Sequence, residues 1–534
     1  MGAILSRLRP ITGLAATVGA LLMALPATSI AELRWQPVQE IADGPSVMGA
    51  TVAVDARGDA LAMWLEQRAA QAFELRYSWR TPHGAWGAPR SLPLQLLSTG
   101  FPTFAVSPRG IATAVYRLAD GRVGIATGKP GEALSLTQAL GAPDPLAGNS
   151  FSTLAMDDEG GASFGWSASN GEVLVATRRP GRRFRAPQQL ATDSVGVPPK
   201  IAVNNAGAAV VAWLGQQPAK PHAAYRLPGA AAFGPAEDVP VALSPFSTFV
   251  AIDAGGSAVV GASGATFLGE SAATTLSARS PVGSFGAPQR IENNGSLAAL
   301  VPEPGGALSI LSETRTADGE PAAVTITGRA PSGALAGPVV LSDAQSCLPA
   351  AASSPAGDLL VAYTRPCGLG SPNAGQLRLR RSATGGFDAP VGVDSRAPMS
   401  PALTGAGEGI VGFNRNQFSA SSIAFEDLDR PVPPLPTEAQ IDARSLMLSR
   451  EGKLGLSVRC PVKCKVRPTG ILVTVATRTA SKRTTSRRLR AKKRVRVRVR
   501  FTRARPEGAP GATARRTCDA LLYRHDDPRC RHVP

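Results

Sequence analysis

The 534-residue chain is short of the residues that most enzyme chemistry relies on. It has four histidines, and only His83 and His222 precede the Pro-rich segment at 431–436. Both stand in loop-like surroundings without carboxylate or cysteine company, so each reads as a surface histidine. A His-based triad and a His metal site are therefore unsupported. No pair of Asp or Glu stands out from the repeat pattern, so a paired-carboxylate hydrolase site has no candidates. Glycine-rich stretches such as Gly261 to Gly269 lack a following helix pattern, which excludes a phosphate loop. Beyond residue 31 no run reaches about 18 apolar residues, so no later helix is expected to span a bilayer. No cofactor and no metal are expected.

What the chain does have is a period. Gly58, Gly110, Gly160, Gly207, Gly256, Gly305, Gly357 and Gly407 recur at intervals of 47 to 52 residues. Repeats of that length point to stacked or radial architecture. Three residues before each glycine stands Asp55, Ser107, Asp157, Asn204, Asp253, Pro302, Ser354 or Thr404. In all but Pro302 the short side-chain oxygen can hold a tight turn, and the glycine supplies the backbone angles such a turn requires. Two residues later comes a small residue in most units, from Ala60 to Ala307. Six residues after the glycine lie Trp64, Tyr116, Trp166, Trp213, Ala262, Leu311, Tyr363 and Phe413. Short apolar flanks such as Val52-Ala53-Val54 make each unit strand, turn, strand. The aromatics could be sugar platforms, but their shared repeat position points to packing between units.

Each unit then ends on a second pattern: large apolar, Pro two or three residues on, and apolar at six. Trp86, Pro89 and Leu92 fit it, as do Phe184, Pro187 and Leu190, and Phe387, Pro390 and Val393. Proline cannot donate to a ladder, so this is an outer, edge strand. With one more segment between the motifs, such as Leu75 to Trp79, each unit has four strands. The eighth unit lacks its closing copy, and Trp35, Pro37 and Ile41 supply one ahead of the first unit. An N-terminal strand that completes the last unit closes a ring and removes the open sheet edges. The expected fold is all-β: an eight-bladed β-propeller over residues 32–430, closed by an N-terminal strand, plus a small C-terminal β domain. On the Asp-x-x-Gly turn and the apolar-x-x-Pro strand the chain resembles the repeat β-propellers of secreted bacterial proteins. That resemblance implies architecture only. The Asp and Gly stand one residue wider than in the boxes of sialidase-type propellers, and the aromatic lies farther away, so that likeness fails.

The N-terminus has the form of a secretory signal over residues 1–31. Arg7 and Arg9 precede the apolar stretch Ile11 to Leu25, and Ser29-Ile30-Ala31 offers small residues for cleavage. After cleavage no membrane span is expected, and the protein is expected to be secreted or extracytoplasmic, with the cell surface included. Six cysteines suit an oxidising compartment. Their spacing suggests Cys347–Cys367, Cys460–Cys464 and Cys518–Cys530, although sequence alone leaves all pairings open. Zinc on Cys518, His525, Cys530 and His532 is a rival reading of the last pair, and its spacing matches no zinc-finger pattern.

Charge is concentrated at one end. Residues 437–534 hold 26 Lys+Arg against 7 Asp+Glu, a net of +19, which leaves 31 basic and 32 acidic residues, a net of −1, for the rest. Pro431 to Pro436 is the linker between them. In the tail, Leu454 to Cys460 and Ile471 to Thr477 read as strands, and residues 482–493 as a solvated loop. Arg494, Arg496, Arg498 and Arg500 alternate with Val495, Val497, Val499 and Phe501, a period-two strand with one arginine face. Residues from Arg505 onward are expected to be poorly ordered. Cys460-Pro461 and Cys464 give the tail a resemblance to small β-sandwich modules of secreted bacterial proteins.

Two sets of residues are candidates for binding. Arg68, Arg117, Arg315, Arg365 and Arg415 fall in the loops between second and third strands, where they could converge on a carboxylate or phosphate. The competing reading pairs them with Glu66 and Glu313 or leaves them in water. Arg494, Arg496, Arg498 and Arg500 form the second set, an anion-binding strip or simply a solvated face in a chain with 48 Arg and 9 Lys. The leading expectation is a secreted or cell-surface binding scaffold, its loop face for a partner such as a surface protein and its tail for an anionic envelope polymer. Nucleic acid is not the expected partner, and the export signal excludes a nuclear-localisation reading of the basic tail. The alternative is a carbohydrate-active hydrolase or lyase using the central channel. The balance leans away from an enzyme.

Overall fold

The computed structural model describes residues 33–427, apart from residues 45, 70–71, 97–101, 142–149, 152–153, 169, 217–218, 242–243, 266–271, 292–294, 317–319, 343–344, 368–373, 381, 383–384, 396–397, 406 and 417–418. In the tail it describes the backbone of five strands. The expected signal segment, the Pro-rich linker, Cys460, Cys530 and residues 471–477 and 482–493 lie outside the described residues.

Eight antiparallel sheets follow one another along the chain, each with its strands in simple up-and-down order. Blade 1 is Val47–Val54, Ala60–Ala69, Ala72–Arg80 and Arg90–Leu96. First strands of successive blades lie side by side, and that of blade 8, Ser400–Leu403, packs beside Val47–Val54, so the set closes on itself. This is the eight-bladed propeller.

The ring is sealed where the displaced motif indicates. Leu33–Trp35 and Gln39–Asp43 both pair with Ser419–Asp427, the third strand of blade 8. Trp35 stands opposite Phe425 with ring centroids 4.9 Å apart. Side chains bind blade 8 to blade 1 as well: the amide of Ala50 donates to Asn414 Oδ1 at 3.1 Å, and Trp86 Nε1 donates to Ser422 Oγ at 2.8 Å.

The eight turns carry the backbone expected of them. Every repeat glycine has positive φ, from 75° at Gly305 to 90° at Gly58 and Gly357. Blade 6 requires a correction of one residue. There the amide of Glu303 bonds the carbonyl of Ala307, as Asp55 bonds Asp59 and Asp253 bonds Ser257. Glu303 and Gly306 are thus the turn residues equivalent to Asp55 and Gly58, and Leu308 and Ser312 replace Ala307 and Leu311 in the pattern. Two consecutive glycines with positive φ, Gly305 and Gly306, allow the slip. With it, all eight turns have an oxygen-bearing side chain at their first position.

The core lies between blades. Leu61, Met63 and Tyr77 of blade 1 pack with Ala112 and Tyr116 of blade 2 in one cluster. Trp64, Tyr116, Trp166, Trp213, Tyr363 and Phe413 are all buried, which assigns the repeated aromatic to packing. Each such side chain contributes about 2–3 kcal/mol by leaving water. The closing prolines sit immediately before the outermost strands, as Pro187 does before Gln188–Ala191 and Pro390 before Val391–Asp394. The Cys347–Cys367 disulfide joins the first strand of blade 7 to the end of its second, with Cα atoms 6.0 Å apart.

The chain divides into two compact units, Met1–Pro431 and Val432–Pro534. In the second, Gln440–Ile441 pairs with Val458–Arg459. Arg494–Arg503 is the middle strand of a three-stranded antiparallel sheet, between Cys464–Pro468 and Arg515–Tyr523. The last of these strands lies beyond Arg505. Its register sets Cys518, Ala520 and Leu522 opposite Val499, Val497 and Val495, giving the apolar residues of the middle strand a partner.

Candidate functional site

The five propeller arginines lie at or near the C-terminal ends of the second strands of their blades. Arg117 ends Ala112–Arg117, Arg315 ends Leu308–Arg315 and Arg365 ends Leu359–Arg365. Arg415 lies one residue from the end of Gly409–Asn416, and Arg68 falls in Ala60–Ala69 with its side chain outside the description. They therefore share one face of the ring, the loop face. Arg315 pairs with Glu313 at 3.1 Å and Arg415 with Asp394 at 3.6 Å, each within its own or the preceding blade. Glu66 pairs with Arg76 at 3.6 Å.

The opposite face, formed by the Asp-x-x-Gly turns, carries a second arginine series. Arg80, Arg178, Arg226, Arg279, Arg329 and Arg380 end the third strands of blades 1, 3, 4, 5, 6 and 7. Each is paired across the sheet with the small or apolar residue that opens the second strand: Ala60, Ala162, Ala209, Ala258, Leu308 and Leu359. From there most reach back to the preceding blade. Arg80 donates to Gln36 in the closing segment, Arg178 to Thr113, Arg329 to Gln289 at 3.3 Å, while Arg279 pairs with Glu237 at 3.2 Å and Arg380 with Glu303. Four lie over aromatic rings: Arg178 on Phe184, Arg226 on Phe233, Arg279 on Tyr225 and Arg380 on Phe387, at 4.4 to 5.7 Å from the centroids. Counting from the glycines hides this series, because the loop between second and third strands varies in length. Counting back six or seven residues from the closing residues Trp86, Phe184, Phe233, Phe285, Leu335 and Phe387 finds all of them.

Burial shapes the electrostatics of this face. It pulls the Arg178 guanidinium down to about 10, against a weaker opposing effect of Asp157, and it lowers Arg226 and Arg329 as well. It pushes the Asp55 carboxyl up to about 6, although the amides of Arg57 and Asp59 both donate to Oδ1. Asn204 occupies the same turn position in blade 4. Its Oδ1 accepts the amide of Ala208, and its Nδ2 donates to the carbonyl of Asp253 in the next blade at 2.9 Å. In blade 1 the corresponding atom, Asp55 Oδ2, is buried without a hydrogen-bond partner among the described residues.

His222 differs from its expected place. It lies on Pro221–Arg226, stacks on Trp213 at 5.9 Å and holds Nδ1 3.0 Å from Asp238. The outer strand Glu237–Asp238 brings the carboxylate alongside, a pairing 16 residues apart that local reading misses. No group of three or more metal-ligating side chains occurs among the described residues.

In the tail, backbone register gathers charge. Lys465 and Arg467 stand opposite Thr502 and Arg500, and Arg515 opposite Thr502. Since directly opposed residues share a face, Lys465, Arg467, Arg494, Arg496, Arg498, Arg500 and Arg515 fall in one register set. Asp519, opposite Arg498, is the one acidic residue in that set among these three strands.

No protein-family model matches the chain, and no curated protein matches it in sequence. Solved structures with a similar course include the lectin BP39L from Burkholderia pseudomallei, at 14% identity and a TM-score of 0.45 over 65% of this chain and 99% of that one. A polysaccharide lyase, ulvan lyase, shares 9% identity at a TM-score of 0.40, covering 73% and 95%. The Dos1 propeller shares 9% at 0.44, also covering 73% and 95%. The fold assignment stands on the strand pairing above, and these likenesses carry no argument about ligand or activity.

Proposed function

We propose that the protein is an extracytoplasmic binding scaffold that attaches to an anionic envelope polymer through its tail and offers the loop face of the propeller to a partner. The observation that carries this is the charge separation: +19 on residues 437–534 and −1 on everything before them. The register set of seven cations on one small sheet supports it, since a line of arginines suits repeated carboxylate or phosphate groups. Export is supported by the signal-like N-terminus and agrees with the Cys347–Cys367 disulfide; no helix among the described residues is long and apolar enough to cross a membrane. The remaining pairings, Cys460–Cys464 and Cys518–Cys530, belong to the same reading. Arg68, Arg117, Arg315, Arg365 and Arg415 are the proposed partner contacts on the loop face.

The test is retention of the full chain on purified cell wall. Binding is expected to fall steeply with added salt, as counterion release requires, and to be lost on deletion of residues 437–534. Salt-insensitive retention would end the role given to the tail. Polysaccharide cleavage abolished by Arg315→Ala or Arg365→Ala would instead make the protein an enzyme.

A further inference from the structure

The side chain that stands beside the turn at each junction varies around the ring: Trp79, Tyr225 and Leu379 are large, Thr127 and Thr177 are smaller, and Ala278 and Gly328 leave the most room among these. Between blades 4 and 5, Tyr225 fills the space beside the turn. Its hydroxyl donates to the carbonyl of Gly256 at 2.7 Å, and Arg279 lies 4.4 Å over its ring. Tyr225 stands opposite Val210; the residue in the same register of blade 5 is Ala278, opposite Val259. A methyl group thus replaces a phenol at the junction of blades 5 and 6. The second aromatic is missing too, because the backbone of Arg329 bridges Leu335 where Arg279 and Arg380 bridge Phe285 and Phe387.

The consequence is a cavity of about 220 Å³ on the turn face, against about 20 Å³ at the junction of blades 8 and 1. That is below the roughly 300–1,000 Å³ of pockets for drug-sized ligands and suits a single six-membered ring. Its charged lining is Arg279, Arg329 and Asp253, with Ser257 and Ser280 beside them. Arg329 uses Nε on Gln289, and among the described residues no side chain or carbonyl accepts from its two terminal nitrogens. Arg329 is desolvated by burial and lies over no ring among the described residues. One oxygen of Asp253 accepts the amide of Ser257, which leaves the other for a hydroxyl. Ala278, Leu308 and Pro331 supply the apolar wall.

The geometry points to a binding site for a sugar acid: a pyranose ring whose carboxylate meets Arg329 in the bidentate manner guanidinium favours, whose hydroxyls meet Asp253 and Ser280, and whose C–H face meets Pro331. With Arg279 paired to Glu237, Arg329 is the cation of the lining left to meet a carboxylate. This site needs neither the tail nor the loop-face arginines, so its fate is separate from theirs.

Isothermal titration of the full chain with D-galacturonate tests it, with D-galactose and acetate as probes lacking the carboxylate and the ring. Saturable millimolar binding of galacturonate is expected, with both other probes at least about tenfold weaker. Arg329→Gln and Ala278→Tyr are each expected to weaken galacturonate binding by about tenfold or more. The second installs the side chain that blade 4 already carries, and thermal melts check that both variants remain folded. Absence of saturable binding overturns the site, as does equal binding of galactose or acetate, or wild-type affinity in both folded variants.

Discussion

On the turn face, Arg178 is buried, donates to Gly160 and to Thr113 of the neighbouring blade, and covers the ring of Phe184. On the loop face, Arg415 is 49% exposed and has Asp394 3.6 Å away. Both belong to series that recur around the ring at similar intervals, so recurrence by itself does not distinguish them. What does is the neighbour each can reach. A residue at the end of a third strand faces the junction and is recruited to hold two blades together. A residue at the end of a second strand opens onto solvent, where its ion pair is screened and worth little. In a ring of repeats, periodic polar residues at junctions read as structure, and departures from the period, as at blades 5 and 6, are the places to look for function.

The largest expected effect that sharpens this contrast is Arg178→Ala. It leaves Asp157 buried with less compensation and Thr113 without its donor, and should cost about 3–5 kcal/mol in denaturant unfolding. The next concerns pH. Asp55 titrates near 3.8 when unfolded and is pushed up to about 6 by burial in the fold. Its contribution to stability is therefore fully present below pH 3.8 and lost as pH rises through 6. Asp55→Asn copies Asn204, keeps the turn acceptor and adds a donor toward the next blade. It should gain at most about 2–3 kcal/mol above pH 6, fading to nothing in acid, as unfolding curves across pH would show. The smallest effect is Arg415→Ala, expected to stay within about 0.5 kcal/mol of wild type. Equal costs for Arg178→Ala and Arg415→Ala would erase the distinction between the faces.

Much of the fold is legible in the residues because its signals are local. An oxygen side chain and a glycine three residues later specify the turn without reference to anything distant, and the displaced copy at Trp35 to Ile41 marks the closing strand. What escapes is set by distant partners. The arginine series becomes visible only when its anchor is the closing residue, and Arg515–Tyr523 gains its strand from pairing with Arg494–Arg503. Gly305 and Gly306 are equally able to fill the turn of blade 6, so only the Glu303–Ala307 hydrogen bond decides between them. The cavity was hidden for a different reason: it opens beside Ala278 where blade 4 carries Tyr225, and only the strand register sets those two residues in correspondence.

The pairing of Leu33–Trp35 and Gln39–Asp43 with Ser419–Asp427 has a consequence for synthesis. As the chain emerges N-terminus first, these early residues have no mate until the eighth blade is made. Through that interval they are an unsatisfied strand, and the growing fan keeps a sticky rim at each end. The last step of folding is thus a long-range capture, slow in kind because of the chain it must enclose. A chain stopped short of Phe425 would keep that rim for good, an open edge of the kind on which other chains pair.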